Sequence, residues 1–272
     1  MSESFLTILY GILEGVTEFL PISSTGHLLI VQHFFAAKAD AFNIIIQAGA
    51  VSAVVAIYWR RLLGLCIGLA RPENRDYLLK LGTSFAVTIA GCYIARSKLG
   101  IKLPEVLEPV VGALLIGALL IFLAERLLRH HRPTDSLSWS TAIWVGVAQI
   151  LAAVFPGTSR SGATIIAAMF CGMSRPAATE FSFLLSIPTM FAASAYAAIE
   201  AHQSGQFDER LTADLVVGFV ISMLSAFIVV KWLLKFVRAH TFTPFAWYRI
   251  ALGIVLVLLL AGEHTPADLI HE

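Results

Sequence analysis

The sequence predicts an all-α polytopic membrane protein built as an inverted-topology repeat, each half one re-entrant helical hairpin plus three transmembrane helices. Three observations carry this. Of the 272 residues 58% are hydrophobic and 14% charged, with a mean hydropathy of +0.80, whereas soluble domains carry about 25% charged residues. Apolar runs of spanning length recur along the chain. One kind of interrupted apolar segment occurs twice, and duplicated broken segments in the two halves of a membrane protein point to its binding site. The net charge of +1 gives no reason to expect a nucleic-acid partner. Cys66, Cys92 and Cys171 sit in apolar contexts without metal-ligand spacing, and an odd count argues against a disulfide framework. Met1-Ser2-Glu3 has no basic region or small-residue cleavage site, so no removable signal is expected.

The first interrupted segment covers residues 4–37, whose formal charges are Glu14 and Glu18. It breaks at Pro21-Ile22-Ser23-Ser24. Inside a bilayer such a break is tolerated only against protein or water. The expected hairpin is a half-helix to about Leu20, a tip at Pro21–Ser24 and a return to about Phe35, with Ser23 or Ser24 as N-cap. Phe42–Trp59 is free of charge over 18 residues and long enough to span, ending at Arg60-Arg61. Leu78–Ala95 and Pro109–Ala124 follow as second and third spans. The second interrupted segment lies in the run Leu137–Ser174, 38 residues whose one formal charge is Arg160. A second hairpin is expected from about Ser138 to Gly172, then spans at Phe181–Ile199, Leu215–Val230 and about Phe245–Ala261. The whole chain, 1–272, reads as a single domain, with repeat 1 at about 1–130 and repeat 2 at about 137–265.

Gly11 to His27 can be laid over Gly146 to Gly162. Gly11 falls on Gly146, Glu14 on Gln149, Glu18 on Ala153, Pro21 on Pro156 and Ser23-Ser24 on Thr158-Ser159, with one extra residue before the later glycine. A hairpin returns to its own side and three crossings do not, so the second half enters from the opposite side. The two tips can then meet near the midplane. Twelve of the nineteen Lys and Arg residues collect on one side, among them Arg60, Arg61, Arg126, Arg175 and Arg238. Five collect on the other, and Arg160 and Arg249 sit within membrane segments. The basic side is expected to be cytoplasmic, which leaves both termini outside, including the acidic Glu263, Asp268 and Glu272.

Arg160 in the middle of an apolar run is a functional-site candidate by its cost alone. Ser159, Ser161 and Thr164 supply hydroxyls around it. A half-helix start supplies backbone N–H groups, and a guanidinium adds a fork for a phosphate oxyanion. Glu14 and Glu18 share a helix face at i,i+4, and two buried carboxylates need a counter-charge, which a divalent metal or Arg160 would provide. Ser24 and His27, at i,i+3, place an imidazole beside a hydroxyl, as a nucleophile and its base require. Ser24 is the preferred nucleophile; direct attack by His27 and attack by a metal-activated water stay open. The expected catalytic set is Ser24, His27, Glu18, Glu14 and Arg160. The expected substrate-binding set is Arg160, Ser159, Ser161, Gly162, Thr164, Ser23 and Thr25, and the expected metal ligands are Glu14 and Glu18, for Mg²⁺ or Ca²⁺. Glu180 and Arg249 read as membrane-edge charges that pair with one another.

Glu14-x-x-x-Glu18 followed by Pro21-x-Ser23-Ser24-Thr25-Gly26-His27, together with Pro156-Gly157-x-Ser159-Arg160-Ser161-Gly162-x-Thr164, resembles the undecaprenyl-diphosphate phosphatase family, the bacitracin resistance proteins. Gln47, Trp59-Arg60-Arg61 and Glu180-Phe181-Ser182-Phe183 add to the likeness, which covers essentially the whole chain. The resemblance implies hydrolysis of undecaprenyl diphosphate to undecaprenyl phosphate and inorganic phosphate. That recycles the lipid carrier for peptidoglycan and other wall polymers, and confers bacitracin resistance. It also implies a divalent cation, a bacterial cytoplasmic (inner) membrane location and an active site open to the periplasm. The expected partners are undecaprenyl diphosphate and the lipid bilayer, with no nucleic acid and with a homodimer left open. A lipid-phosphate transporter or flippase has the same inverted-repeat architecture and is the rival reading. The Ser24–His27 pair favours chemistry over transport.

Overall fold

A computed structural model describes residues 3–35, 37–98, 107–130, 132–207 and 209–263 of the chain. These residues form ten α-helices: α1 Glu3–Thr17, α2 Ser24–Phe34, α3 Asp40–Ile67, α4 Pro72–Tyr93, α5 Leu107–His130, α6 Trp139–Val154, α7 Arg160–Phe170, α8 Arg175–Gln203, α9 Glu209–Ala239 and α10 Thr243–Glu263. A π-helical turn, Ile94–Lys98, continues α4. Among the described residues, an isolated bridge between Thr134 and Met173 is the one β feature. Asp268, Glu272 and Lys102 lie outside the described residues.

Local chemistry starts the helices where the chain needs them. Ser138 caps α6 by accepting the Thr141 N–H at 3.0 Å, and Ser174 caps α8 by accepting the Ala177 N–H at 3.3 Å. Proline stands at the start of α4 and of α8, where its missing N–H costs nothing. Several helices outrun the apolar runs that announce them. α3 continues through Arg60-Arg61 to Ile67, because arginine is a good helix former and its head can be solvated or paired. Arg61 lies 3.4 Å from Glu180 and stacks over the Tyr77 ring. Both helix breaks, between α1 and α2 and between α6 and α7, fall where the sequence places them.

Four helices among the described residues are long and apolar enough to cross a membrane: α3, most of α5, α8 and most of α9. α4 opens on Glu73, Arg75, Asp76 and Lys80, and α6 and α10 contribute shorter apolar stretches. Ile116, Leu119, Ile228 and Leu258 are among the many large apolar side chains left exposed around the outside. Exposed apolar surface on that scale is what a bilayer covers. This is a multi-pass helical membrane protein.

α9 packs between α1 and α3, α3 packs on α8, α5 on α10, and α4 on α6. Small residues let these backbones approach, as membrane helix packing favours. One such close approach is at Gly15 of α1, where a Cβ would stand 2.0 Å from Ser225 Oγ and 2.4 Å from the Ser222 carbonyl oxygen of α9. Gly15→Leu should therefore destabilise the detergent-solubilised protein by about 1–3 kcal/mol through overpacking. Gly64→Ala, facing open space, should shift stability by no more than about 0.5 kcal/mol. Thermal denaturation of the two variants checks the contrast.

Candidate active site

The two breaks are built alike. α2 and α7 are each eleven residues long and each begins after a serine in the left-handed half of backbone space: Ser23 at φ 73°, ψ 101°, and Ser159 at φ 66°, ψ 110°. These are the positive-φ residues other than glycine among the described residues. Each side chain caps its half-helix by accepting the N–H three residues on, Gly26 at 3.3 Å and Gly162 at 3.2 Å. A non-glycine residue held there costs about 1–3 kcal/mol and marks an over-determined, often functional, position. This geometry corrects the sequence register. Ser23 corresponds to Ser159, so Ser24 corresponds to Arg160 and Gly26 to Gly162. The extra residue lies before the capping serine, not after it. Ser24 and Arg160 are thus the first residues of equivalent half-helices.

The breaks also touch. Ser161 Oγ, fully buried, donates to the carbonyl oxygens of Glu18 and Leu20, both at 3.0 Å. Arg160 Nη2 lies 3.2 Å from Glu18 Oε1 and 3.1 Å from Met190 Sδ, with its guanidinium over the Phe19 ring. Ser24 Oγ donates to Glu18 Oε2 at 2.8 Å. One carboxylate therefore holds the arginine of one hairpin and the serine of the other. Arg160 Nη1 is buried without a hydrogen-bond partner, as are both carboxylate oxygens of Glu14. A guanidinium nitrogen and a carboxyl group left unsatisfied in a buried place are expensive unless something completes them.

His27 takes other partners than Ser24. Its Nδ1 lies 2.7 Å from the Ser23 carbonyl oxygen, and its Nε2 2.6 Å from the hydroxyl of Tyr248, whose ring stacks on the imidazole. The carbonyl can only accept, so Nδ1 carries the proton and neutral Nε2 accepts from Tyr248. The hydrogen-bonded neighbour of the Ser24 hydroxyl is Glu18. The remaining residues divide by exposure. Thr164 is fully buried and donates to the Arg160 and Ser161 carbonyls and exchanges a 2.6 Å hydrogen bond with Ser182, so it braces α7. Gly162 leaves space for a neighbouring arginine, Arg249, whose Nη1 would stand 3.2 Å from a Cβ there. Ser24 and Thr25 line a cavity of ≈ 690 Å³ with Asp40, Asn43, Gln47 and Glu200.

Arg249 and Glu180 do not pair. Glu180 pairs with Arg61, and Arg249 is fully buried, bonded to carbonyl oxygens at both breaks. Position in the chain alone put it near a membrane edge; its hydrogen-bond partners are distant in sequence, so nothing local signalled its burial. Tyr248 was likewise invisible, and an isolated tyrosine in an apolar run carries no signal. Among the described residues no three His, Cys, Asp or Glu side chains gather as a self-sufficient metal site. The two unpartnered Glu14 oxygens beside Glu18 suit a hard divalent ion that takes one or two carboxylates and completes its shell with water and phosphate oxygens.

Fold and site together give a multi-pass membrane protein with a buried arginine nitrogen lacking a partner and a serine hydroxyl joined to the same carboxylate. The chain belongs to the bacitracin resistance protein BacA family, whose description matches residues 7–255. It is 49% identical over 261 residues to a protein of Xylella fastidiosa strain 9a5c named undecaprenyl-diphosphatase, covering 96% of this chain and all of that one. Proteins of the same name from Rhizobium etli strain CIAT 652 and Xanthomonas oryzae pv. oryzae strain PXO99A are 50% and 49% identical. They cover 92% and 96% of this chain, and 94% and 98% of their own lengths.

Arg160→Lys keeps the charge but loses the fork that reaches Glu18, Met190 and a ligand at once. Turnover of the substrate should fall at least about tenfold, the scale of one lost transition-state contact of about 1.4 kcal/mol. Steady-state kinetics of Arg160→Lys beside Arg160→Ala checks this, and near-normal rates in both would remove Arg160 from the site.

Proposed function

We propose that this protein is an integral-membrane phosphoanhydride hydrolase that converts undecaprenyl diphosphate to undecaprenyl phosphate and inorganic phosphate. It thereby returns the lipid carrier to peptidoglycan synthesis and confers bacitracin resistance. Family membership and the names of the relatives supply the substrate. The single structural observation that carries the chemistry is the chain Ser24–Glu18–Arg160 across the two breaks, with Arg160 Nη1 still free to bind.

Arg160 and the N–H groups opening α7 hold the terminal phosphate, aided by the positive end of that half-helix. Ser24 Oγ attacks the terminal phosphorus, and its proton passes to Glu18 Oε2, its hydrogen-bond acceptor at 2.8 Å. The P–O bond to the bridging oxygen breaks, and undecaprenyl phosphate leaves. Water then cleaves the phosphoserine and releases phosphate, with Glu18 returning the proton. His27, held by Ser23 and donated to by Tyr248, keeps the tip rigid and offers Nε2 as a base if Tyr248 turns away. Direct attack by His27 is the alternative. Glu14 and Glu18 are the residues that would hold Mg²⁺ or Ca²⁺. When bound, such an ion neutralises phosphate-oxygen charge as a Lewis acid.

The inverted repeat and the re-entrant hairpins belong to this proposal. The twin serine caps support them, and so does helix packing: α1 on α9 corresponds to α6 on α4. Gly11 lies against Gly218 and Ile221, and Gly146 against Ser84 and Val87. One turn on, Gly15 meets Ser225, while Ile150 meets Gly91. The small residue has changed sides across one and the same interface. The proposed orientation puts the ≈ 690 Å³ cavity on the periplasmic side of an inner membrane. It lies at the Asp40 and Glu200 ends of α3 and α8, away from the basic Arg61–Arg238 end. A second cavity of ≈ 340 Å³ at that basic end is the observation that favours the transport rival.

Phosphate release by the purified protein from undecaprenyl diphosphate in detergent tests the reading. We expect one phosphate per lipid, loss of activity in excess chelator and recovery on adding Mg²⁺ or Ca²⁺. Ser24→Ala should fall more than about hundredfold, the lower bound of a lost nucleophilic or acid–base role. A substantial rate in Ser24→Ala with none in His27→Ala would transfer the attack to His27. No release from any preparation would leave the transport reading standing.

A further inference from the structure

Arg249, early in α10, is the largest fully buried side chain among the described residues. Its guanidinium donates to five main-chain carbonyls and to no carboxylate. Nε reaches Leu114 O at 3.1 Å; Nη1 reaches Pro21 O at 3.4 Å and Thr158 O at 3.2 Å; Nη2 reaches Ala113 O at 2.8 Å, Thr158 O at 3.2 Å and Gly157 O at 3.4 Å. Pro21 belongs to the first break, Gly157 and Thr158 to the second, and Ala113 and Leu114 to α5. The space is made for it. A Cβ on Gly117 would stand 2.3 Å from Nη2 and 2.5 Å from Cζ.

A break in a helix leaves carbonyls without their intrahelical donors, and in a bilayer they must be satisfied by protein. Neutral donors or water could do that at each break separately. A rigid planar fork of five N–H groups does it for both breaks at once. It accepts the cost of burying a charge without a carboxylate partner. Pro21 lies three residues before Ser24, and Thr158 two before Arg160. Both half-helix starts are therefore tied to one rigid plane.

We propose that Arg249 is a positioning residue that fixes the register of the two tips, and so the placing of Ser24 against Arg160. The proposal rests on the hydrolase reading for its kinetic consequence, but not for its geometric one. Misplacing reacting groups by about 1 Å costs roughly a hundredfold in rate.

The test uses full-length Arg249→Met, Arg249→Lys and Gly117→Ala, the last leaving the arginine and its charge in place while filling its notch. Where the variants fold, judged by helix content and melting temperature, kcat should fall about a hundredfold in Arg249→Met and at least about tenfold in Gly117→Ala. Arg249→Lys should lie between wild type and Arg249→Met. KM should change far less than kcat, and millimolar guanidinium should restore part of the Arg249→Met rate. A merely structural role would not yield rescue by a free cation. If Arg249→Met does not fold, Gly117→Ala decides. In parallel, spin labels at positions 28 and 155, in a background without Cys66, Cys92 and Cys171, report the distance between hairpins. A narrow distribution in wild type should broaden in Arg249→Met and in Gly117→Ala. Folded variants with near-wild-type kcat and unchanged distances overturn the proposal. If wild type releases no phosphate, the hydrolase reading fails, and the label distances alone judge Arg249.

Discussion

A helix broken inside a bilayer cannot turn to water for its lost hydrogen bonds, and the architecture of this protein follows from that constraint. The first break takes donors from the second, and both take donors from α10. Ser161 of the second hairpin donates to two carbonyls of the first, Arg160 reaches across to Glu18, and Arg249 spans both from α10. The breaks are thus not two weak points but one polar knot. The surrounding apolar residues of α3, α8 and α9 bury most of it, while Ser24 reaches the ≈ 690 Å³ cavity. In such surroundings charge–charge and hydrogen-bond interactions are far stronger than in water.

The two breaks share backbone geometry and differ in what they carry. At the first position of the returning half-helix, one has Ser24 and the other Arg160. In the proposed mechanism the first offers a hydroxyl to attack and the second a guanidinium to hold the anion. A parallel contrast lies deeper. Gln149 Nε2 in α6 donates to Thr88 Oγ1 in α4 at 3.1 Å. At the corresponding places in the other half stand Glu14 and Ser222, both fully buried, whose polar side-chain atoms have no hydrogen-bond partner. Gln149 thus has one hydrogen bond across its helix interface, by Nε2, where Glu14 has none.

Much of this was legible from the residues alone. Pro, Gly and clustered hydroxyls inside apolar runs located both breaks to within a few residues, because those residue types leave a helix little choice. Glu14, Glu18, Ser24, His27 and Arg160 stood out as candidates because charged and polar groups in apolar runs are costly and because Glu14–Glu18 and Ser24–His27 are each spaced to share a helix face. Pairing was less legible. The i,i+3 spacing of Ser24 and His27 suggested a bond between them. A left-handed Ser23 instead turns the imidazole back onto its own carbonyl and toward Tyr248, leaving Ser24 to Glu18. The register of the repeat slipped by one for the same reason, since only the backbone angles reveal which serine is the cap. Arg249 was misread because its partners are carbonyl oxygens, which every residue has and no sequence displays. Helix ends were underestimated wherever arginines continued the helix beyond the apolar core, as in α3.

The central claim is that the two tips form one site, joined where Glu18 meets Arg160. A double-mutant cycle on kcat/KM with Glu18→Gln, Arg160→Lys and the combined variant measures that directly. If the residues work as a single unit, the second substitution should cost much less once the first is made, giving a coupling of at least about 1 kcal/mol. Effects that add within about 0.5 kcal/mol would mean that the two hairpins act independently, and would contradict the account.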